Sequence, residues 1–161
     1  EVSTFIFRAR PAFFDDPFFL READPAVLAE LEDPERQRRT AMSPAASYFE
    51  KALPVAQANV KALADGGVRV AFGTDSGPPG RFQGYFEHLE MELMAQAGLS
   101  PMQILVSATA NAARCTGLDR ELGTLAPGKR ADFVVLRENP LHDIRNARAI
   151  ESVWIGGERA S

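Results

Sequence analysis

The chain has 161 residues, 45% of them hydrophobic and 25% charged, a composition typical of a folded globular protein and not of a disordered one. Its net charge of -4 and its scattered basic residues argue against a nucleic-acid binder that depends on attraction to phosphates. No apolar run approaches the roughly 20 residues of a transmembrane helix, and the single cysteine excludes an intrachain disulfide.

The N-terminal part combines an apolar strand pattern with an aromatic segment. Residues 2–7 are β-branched and aromatic, which predicts a strand. Residues 8–20 carry phenylalanines between Pro11 and Pro17, and because prolines at this spacing disfavour a long helix, we expect an aromatic loop. The rings either form a lid over a site or fill a core, and core burial is the commoner role of aromatic side chains.

Helical patterns follow. Residues 24–39 indicate a short helix with a charged face. Ser43-Pro44 supplies an N-cap and a proline at the first position of a longer helix, whose apolar residues recur at steps of three and four. Pro54 is expected to kink this helix, and Gly66-Gly67 is expected to end it.

The middle of the chain alternates strand and helix. Residues 68–72 predict a short strand, and residues 73–80 predict a glycine-rich loop. A helix with one apolar side is expected over residues 82–97, ending at Gly98. Ser100 and Gln103 fit a capping box, so another helix is expected from there to the vicinity of residue 117.

The C-terminal part is rich in strands. Residues 131–136 and 150–155 predict two strands, and Gly156-Gly157 predicts a tight hairpin turn into a last short strand. The change of pattern predicts two domains, at residues 1–118 and 119–161.

The candidate chemistry lies in the glycine-rich loop. Gly73-Thr74-Asp75-Ser76-Gly77 places an aspartate at the C-terminal end of a predicted strand, where α/β proteins build active sites, and its glycines allow a sharp turn. A carboxylate there can bind a divalent cation or take a proton from a metal-bound water. The alternative is that Asp75 only caps the following turn, and the residues alone leave both roles open.

Two glycine-rich patterns superficially suggest phosphate binding. Residues 123–129 spell Gly-x4-Gly-Lys, but Arg130 replaces the Ser or Thr that holds magnesium, and a strand is predicted where a helix should begin. The loop at residues 73–80 precedes a helix, but Pro78 and Pro79 remove amide donors that an anion would need. We expect neither pattern to bind phosphate.

A series of short motifs runs from this loop to the C-terminus. The motifs are Gly73-Thr74-Asp75-Ser76-Gly77, then His88, Glu90 and Glu92-Leu93, then Ala97-Gly98-Leu99-Ser100-Pro101, Ala108-Thr109-Ala110-Asn111-Ala112-Ala113-Arg114, residues 123–136 and Asn139-Pro140-Leu141-His142-Asp143-Ile144. In this order they resemble the closing segment of the amidohydrolase superfamily, in particular its imidazolonepropionase-like and prolidase-like members. The resemblance covers residues 68–161 well and residues 1–67 more loosely.

The resemblance implies an α/β fold, the C-terminal portion of a (β/α)8 TIM-like barrel followed by β-strands of a small composite β-domain. It implies a metal-dependent hydrolase that cleaves carbon–nitrogen bonds in cyclic amides, amides or dipeptides, with one or two divalent ions, often zinc. Asp75 matches the aspartate that ligates the metal and shuttles the proton of the attacking water. Ser76 and His88 are candidates for substrate binding, and a helix-surface or capping role is the alternative for His88.

The histidines depart from the family pattern. A catalytic zinc takes about three protein ligands, and in the family most of them lie on earlier strands, including a His-x-His pair. This chain has only His88 and His142, the latter expected on a surface loop, and Cys115 is expected to be buried filler. We therefore expect the other ligands outside this chain, as in a piece of a longer protein. The alternative is an inactive or structural remnant that binds no metal.

The expected partner is a small-molecule substrate, with no nucleic acid and no membrane, and an oligomer is left open. The single cysteine is compatible with a reducing compartment, so the cytoplasm is slightly favoured. The sequence starts at Glu1 and not at a methionine, so any secretion signal is expected upstream.

We expect the isolated 161-residue chain to show no hydrolase activity, even with added zinc, because it lacks most of the ligands of a catalytic site. The measurement is turnover of amide and dipeptide substrates by the purified chain. Measurable turnover would prove this interpretation wrong.

Overall fold

A computed structural model describes residues 12–77 and 82–160, which form a series of helices and one small sheet. The mixed helix and strand content agrees with the predicted α/β class, whereas the described residues by themselves do not form a barrel. The strand predicted at residues 2–7 lies outside the described residues. None of the helices in the described part is long and apolar enough to cross a bilayer.

The helices and strands have the following bounds. The α-helices are α1 (Pro17–Glu22), α2 (Pro25–Glu32), α3 (Pro34–Ala41), α4 (Pro44–Asp65), α5 (Tyr85–Gln96), α6 (Pro101–Val106) and α7 (Ala112–Cys115). Short 3-10 turns occupy Ala12–Asp15 and Ile144–Arg148. The strands are β1 (Phe133–Leu136), β2 (Ile150–Ile155) and β3 (Glu158–Arg159), in the order β1-β2-β3 with antiparallel pairing throughout.

Proline marks the start of helices in this chain. In five of them a proline at the first position follows an aspartate or serine whose side chain accepts a hydrogen bond from a backbone amide of the first turn. These pairs are Asp16-Pro17, Asp24-Pro25, Asp33-Pro34, Ser43-Pro44 and Ser100-Pro101. Proline suits this position because its missing N–H has no helical partner there. The single helix predicted over residues 24–39 is therefore wrong, since Asp33-Pro34 ends α2 and begins α3.

Glycine ends the two long helices as the sequence predicts. Gly67 has φ +78°, and the amide of Val68 donates to the carbonyl of Leu63 at 3.0 Å. Gly98 repeats the arrangement with φ +95°, as the amide of Leu99 donates to the carbonyl of Met94 at 3.2 Å. This left-handed ending satisfies carbonyls that the last helical turn leaves without partners. Helix α4 continues through Pro54 without ending there.

The chain divides into two compact units, one made of Glu1–Ala58 and Thr74–Glu87 and the other of Asn59–Gly73 and His88–Ser161. We call them the first and second units. This division differs from the two domains predicted at residues 1–118 and 119–161, and that boundary stays a prediction.

Aromatic rings fill the core of the first unit. Phe14, Phe19, Tyr85 and Phe86 are buried, and the rings of Phe19 and Tyr85 meet edge to face with centroids 5.1 Å apart. Asp16 accepts from the Tyr85 hydroxyl at 3.2 Å while its other oxygen caps α1. The loop predicted at this segment is wrong in its described part, which is largely helical because Asp16 and the following proline start α1. The core-filling role of the rings is confirmed.

The second unit has an aliphatic core and a small sheet. Met94, Leu99, Ile104 and Ile144 form its buried cluster. In the sheet, Phe133 of β1 lies opposite a tryptophan of β2, and their rings stack with centroids 5.6 Å apart. The predicted hairpin turn between β2 and β3 is confirmed, because its two glycines have φ of +61° and +85°.

The strand predicted at residues 68–72 is wrong. The segment is irregular. Its first amide bonds back to α4, and the hydrogen bonds of Val70 and Phe72 run to the helical region Ser107–Asn111 instead of to a neighbouring strand. A β-strand needs an edge to pair with, and the described residues place a helix beside this segment.

The capping box at Ser100 and Gln103 is confirmed, but the helix that it begins is not uniform. Ser107–Asn111 forms a π-helical turn between α6 and α7. A π turn inserts one extra residue into an α-helix. Such turns are rare in proteins overall, and those that occur often lie at functional sites. We call Ser107–Asn111 the π turn.

The Gly-x4-Gly-Lys pattern is a structural turn. Lys129 donates through Nζ to the carbonyls of Asp119 at 2.5 Å and Leu122 at 3.0 Å, and a strand follows. Gly123 has φ +85°, and a Cβ on it would lie 2.6 Å from the Cβ of Ala113. The lysine therefore binds the chain's own carbonyls, and the glycine permits close packing against the helix.

We expect Gly123→Ala to lower the free energy of unfolding by about 2–5 kcal/mol, because it adds left-handed strain to a clash with the helix. Gly128→Ala is a matched control, since Gly128 has φ +86° and an added Cβ there would meet no heavy atom within 4 Å. It should cost only the backbone term of about 1–2 kcal/mol. Urea unfolding of both variants measures the difference, and equal losses would contradict the packing role of Gly123.

Candidate active site

The segment before the candidate loop is fixed on the π turn. The side-chain amide of Asn111 donates to the carbonyl of Val70 at 2.9 Å, and the amide of Phe72 donates to the carbonyl of Ser107 at 3.1 Å. The side chains of Val70 and Phe72 pack against the aliphatic core of the second unit. The chain therefore enters the loop at Gly73 from a position held by both hydrogen bonds and packing.

Within the first unit, the loop is held by one carboxylate. Glu87 accepts from the Thr74 hydroxyl at 2.8 Å through Oε1 and from the amide of Gly84 at 2.5 Å through Oε2. The hydroxyls of Thr74 and Ser76 lie 2.8 Å apart, and the amide of Ser76 donates to Oγ1 of Thr74 at 3.3 Å. Glu87 thus connects the loop to the first turn of α5.

Asp75 lies between these two hydroxyl residues. It is exposed and has φ +51°, and it is the non-glycine residue with positive φ among the described residues. Aspartate is one of the residue types enriched in this left-handed region. Gly77 follows with φ +143°, which favours glycine, whereas Gly73 lies outside the left-handed region. The sharp turn predicted for the loop therefore comes from Asp75 and Gly77.

Two opposing effects act on the pKa of Glu87. Partial burial raises it, but hydrogen bonds from the Thr74 hydroxyl, the Gly84 amide, its own amide and the Ser76 hydroxyl together outweigh burial and hold the pKa below its ordinary value of 4.5. Glu87 is therefore a carboxylate at neutral pH and accepts hydrogen bonds with both oxygens.

The structure brings two of the three predicted site residues into one loop. Asp75 and Ser76 are neighbours there, and the side chain of Ser76 takes part in the Thr74 network. His88 is half-buried in α5 and belongs to the second unit. The roles of all three residues stay predictions.

The remaining metal-ligand types lie elsewhere. His142 is exposed in a turn, as predicted for a surface loop. Cys115 is exposed, so its prediction as buried filler is wrong; it ends the short α7 on the outward face. Across residues 12–77 and 82–160, no three His, Cys, Asp or Glu side chains come together in a group that could hold a metal ion.

Sequence reasoning missed two residues that fix the loop. Glu87 bonds to Thr74 across 13 positions, and Asn111 bonds to Val70 across 41, so neither forms a local motif. The available signal for Glu87 was an acidic residue in the first turn of a helix after a hydroxyl-bearing loop. Asn111 lies within the motif at residues 108–114 that contributes to the family resemblance, and that motif assigns it no role.

Comparison with known proteins agrees with the resemblance. The sequence profile of the amidohydrolase family matches residues 49–160. An imidazolonepropionase of Deinococcus deserti is 39% identical over 101 residues, covering 60% of this chain and 25% of that protein. An ochratoxinase of Aspergillus niger is 34% identical over 129 residues, covering 70% of this chain and 26% of that protein. The chain thus spans about a quarter of the length of these relatives.

Solved structures that are similar to this chain include proteins named as a dipeptidase and a prolidase. A Xaa-Pro dipeptidase with methionine bound in its active site superposes with a TM-score of 0.59 and 26% identity, over 80% of this chain and 29% of that one. A prolidase complexed with N-methylphosphonate-L-proline gives a TM-score of 0.58 and 26% identity, over 84% of this chain and 31% of that one.

The hydrogen bonds of Glu87 predict a pH-dependent contribution to stability. Because its pKa is lower in the folded protein, the contribution is complete above the ordinary value of 4.5 and is lost as the pH falls through the lower folded value. We expect the difference in Tm between the wild type and Glu87→Gln to be largest near neutral pH and to shrink in acid.

Thermal unfolding of both proteins between pH 7 and pH 3 measures this difference, the range being about that over which carboxyl groups titrate. Glu158→Gln, at an exposed position in β3, controls for the removal of one negative charge. A Tm difference that stays constant across the range would contradict the hydrogen-bond network around Glu87.

Proposed function

The chain belongs to the amidohydrolase family, and from this premise we propose that the protein it is part of is a metal-dependent hydrolase of carbon–nitrogen bonds. In this proposal Asp75 is a ligand of the metal and accepts the proton of the attacking water. The observation that carries it is the presentation of Asp75, exposed on a left-handed turn whose two flanking hydroxyls are held by Glu87.

The geometry of the loop favours the metal-ligand role over a simple turn-capping role. A non-glycine residue in the left-handed region costs on the order of 1–3 kcal/mol and persists where its surroundings fix it, often at ligand clamps. The hydrogen bonds to Thr74 and Ser76 provide that fixation. Asp75 is thereby held at an exposed position of the loop.

The donor set agrees with a metal site that this chain completes only in part. A carboxylate oxygen suits one coordination position of a divalent ion, while a catalytic zinc site takes about three protein ligands. Since the described residues bring no three such ligands together, we propose that the others lie on further parts of the protein. A bound ion would polarise the scissile carbonyl and acidify a water, and zinc, as one or two ions, is the proposed metal.

The proposed substrates are small molecules that contain a cyclic amide, an amide or a dipeptide-like bond. The relatives named imidazolonepropionase and ochratoxinase, and the structures named Xaa-Pro dipeptidase and prolidase, support this breadth and do not narrow it. Ser76 and His88 are proposed substrate-binding residues. For Ser76 the role must coexist with its hydrogen bond to Thr74.

The alternative function is a structural or inactive remnant that binds no metal. Metal analysis of the purified full-length protein discriminates between the two. A stoichiometric divalent ion supports the hydrolase, and its absence supports the remnant.

A cytoplasmic location and the domain boundary between residues 118 and 119 remain part of the proposal.

We expect Asp75→Asn in the full-length protein to lower kcat by about 100- to 10,000-fold, because asparagine accepts no proton and is a weaker ligand. The fold should stay intact, since asparagine also tolerates the left-handed backbone at φ +51°. Steady-state kinetics and thermal unfolding measure the two effects.

Asp65→Asn is the matched control, because Asp65 is an exposed aspartate that pairs with Lys61 at the end of α4. Its kcat should equal that of the wild type. If Asp75→Asn also kept the wild-type kcat, Asp75 would have no part in the mechanism.

A further inference from the structure

We propose that Glu87 is a positioning residue, which acts through Thr74 and Ser76 to hold the carboxylate of Asp75 in the direction that a metal ion requires. The inference rests on the proposed function and adds to it a residue outside the motifs that carry the family resemblance. Glu87 itself touches neither the proposed ion nor the substrate in this scheme.

Both oxygens of Glu87 are engaged, and they face different elements. Oε2 accepts from the amide of Gly84 at 2.5 Å, a local bond across the start of α5. Oε1 accepts from the hydroxyl of Thr74 at 2.8 Å, a bond that reaches 13 residues back to the loop. Capping the helix explains only the first bond, so the second indicates a further role.

Thr74 and Ser76 flank Asp75 and are linked to each other. Their hydroxyl oxygens lie 2.8 Å apart, and the amide of Ser76 donates to Oγ1 of Thr74 at 3.3 Å. Fixing the residues on both sides of Asp75 fixes the direction of its Cα–Cβ bond. The backbone and a polar network attached to α5 therefore fix the point and direction from which the Asp75 side chain leaves the loop.

The charge of Glu87 strengthens this arrangement. An ionised acceptor makes hydrogen bonds about twice as strong as a neutral one. The carboxylate also lies in the first turn of α5, where the helix dipole favours a negative charge. The aromatic core supports the same turn, because Tyr85 and Phe86 immediately before Glu87 are buried. Glu87 is thus a charged hydrogen-bond acceptor on a helical turn that the aromatic core supports.

The test compares two substitutions of similar size at Thr74 in the full-length protein. Thr74→Val removes the hydroxyl and keeps the shape, whereas Thr74→Ser keeps the hydroxyl and removes a methyl group. We expect Thr74→Val and Glu87→Gln to weaken the affinity for Zn²⁺ and to lower kcat, each by about 10- to 100-fold, with little change in KM. Thr74→Ser should stay near the wild type in both.

Zinc affinity is measured by competition with a chromophoric chelator, a readout independent of turnover, and thermal unfolding reports the stability of each variant. Asp24→Asn is the matched control for Glu87→Gln, because Asp24 also accepts a backbone amide at a helix start and lies in the same unit. It should leave zinc affinity and kcat unchanged. Ser76→Ala provides a second test of the network if Thr74→Val does not fold.

The outcomes separate the inference from the function that it rests on. Wild-type zinc affinity and kcat in folded Thr74→Val and Glu87→Gln, with an inactive Asp75→Asn, would overturn the positioning role and leave the hydrolase standing. A wild-type protein that binds no divalent ion would overturn both. Losses in Thr74→Val and Glu87→Gln that Thr74→Ser does not share would establish the role.

Discussion

The attachment of residues 70–72 to the π turn is the constraint on which the candidate site depends. Two hydrogen bonds hold the backbone of this segment, one from a side-chain amide and one to a main-chain carbonyl, and its partly buried side chains Val70 and Phe72 pack against the aliphatic core. The next residues are the candidate loop. These contacts fix the backbone of the second unit up to Gly73, the residue at which the candidate loop begins.

The beginnings and ends of the long helices could be predicted from the sequence because their signals are local. The capping box at Ser100, the Ser43-Pro44 start and the glycines at 67 and 98 act within a few residues of the atoms that they satisfy. The Asp-Pro signal leads to two opposite errors. At α1 the prolines are expected to disfavour a helix, although Pro17 stands at a first position, where proline favours one. Between α2 and α3 one helix is predicted straight through Pro34, although Asp33-Pro34 ends one helix and starts the next.

Pairing and positioning could not be predicted in the same way. Whether residues 68–72 form a strand depends on which element lies beside them, and β-propensity carries no information about that neighbour. Asp75 could be identified because its motif is contiguous. Glu87 and Asn111 could not, because their partners are separated from them by 13 and 41 positions and meet them only in the folded chain.

The π turn also changes the phase of the helix that contains it. One extra residue rotates the side chains that follow it by about 100° about the helix axis, relative to an uninterrupted α-helix. Ile104 before the turn faces the aliphatic core, and Asn111 at its end reaches the carbonyl of Val70. Both side chains act on the same segment, since Val70 and Phe72 pack against the core that contains Ile104 while the carbonyl of Val70 accepts from Asn111, so one helix holds its neighbour through apolar and polar contacts together.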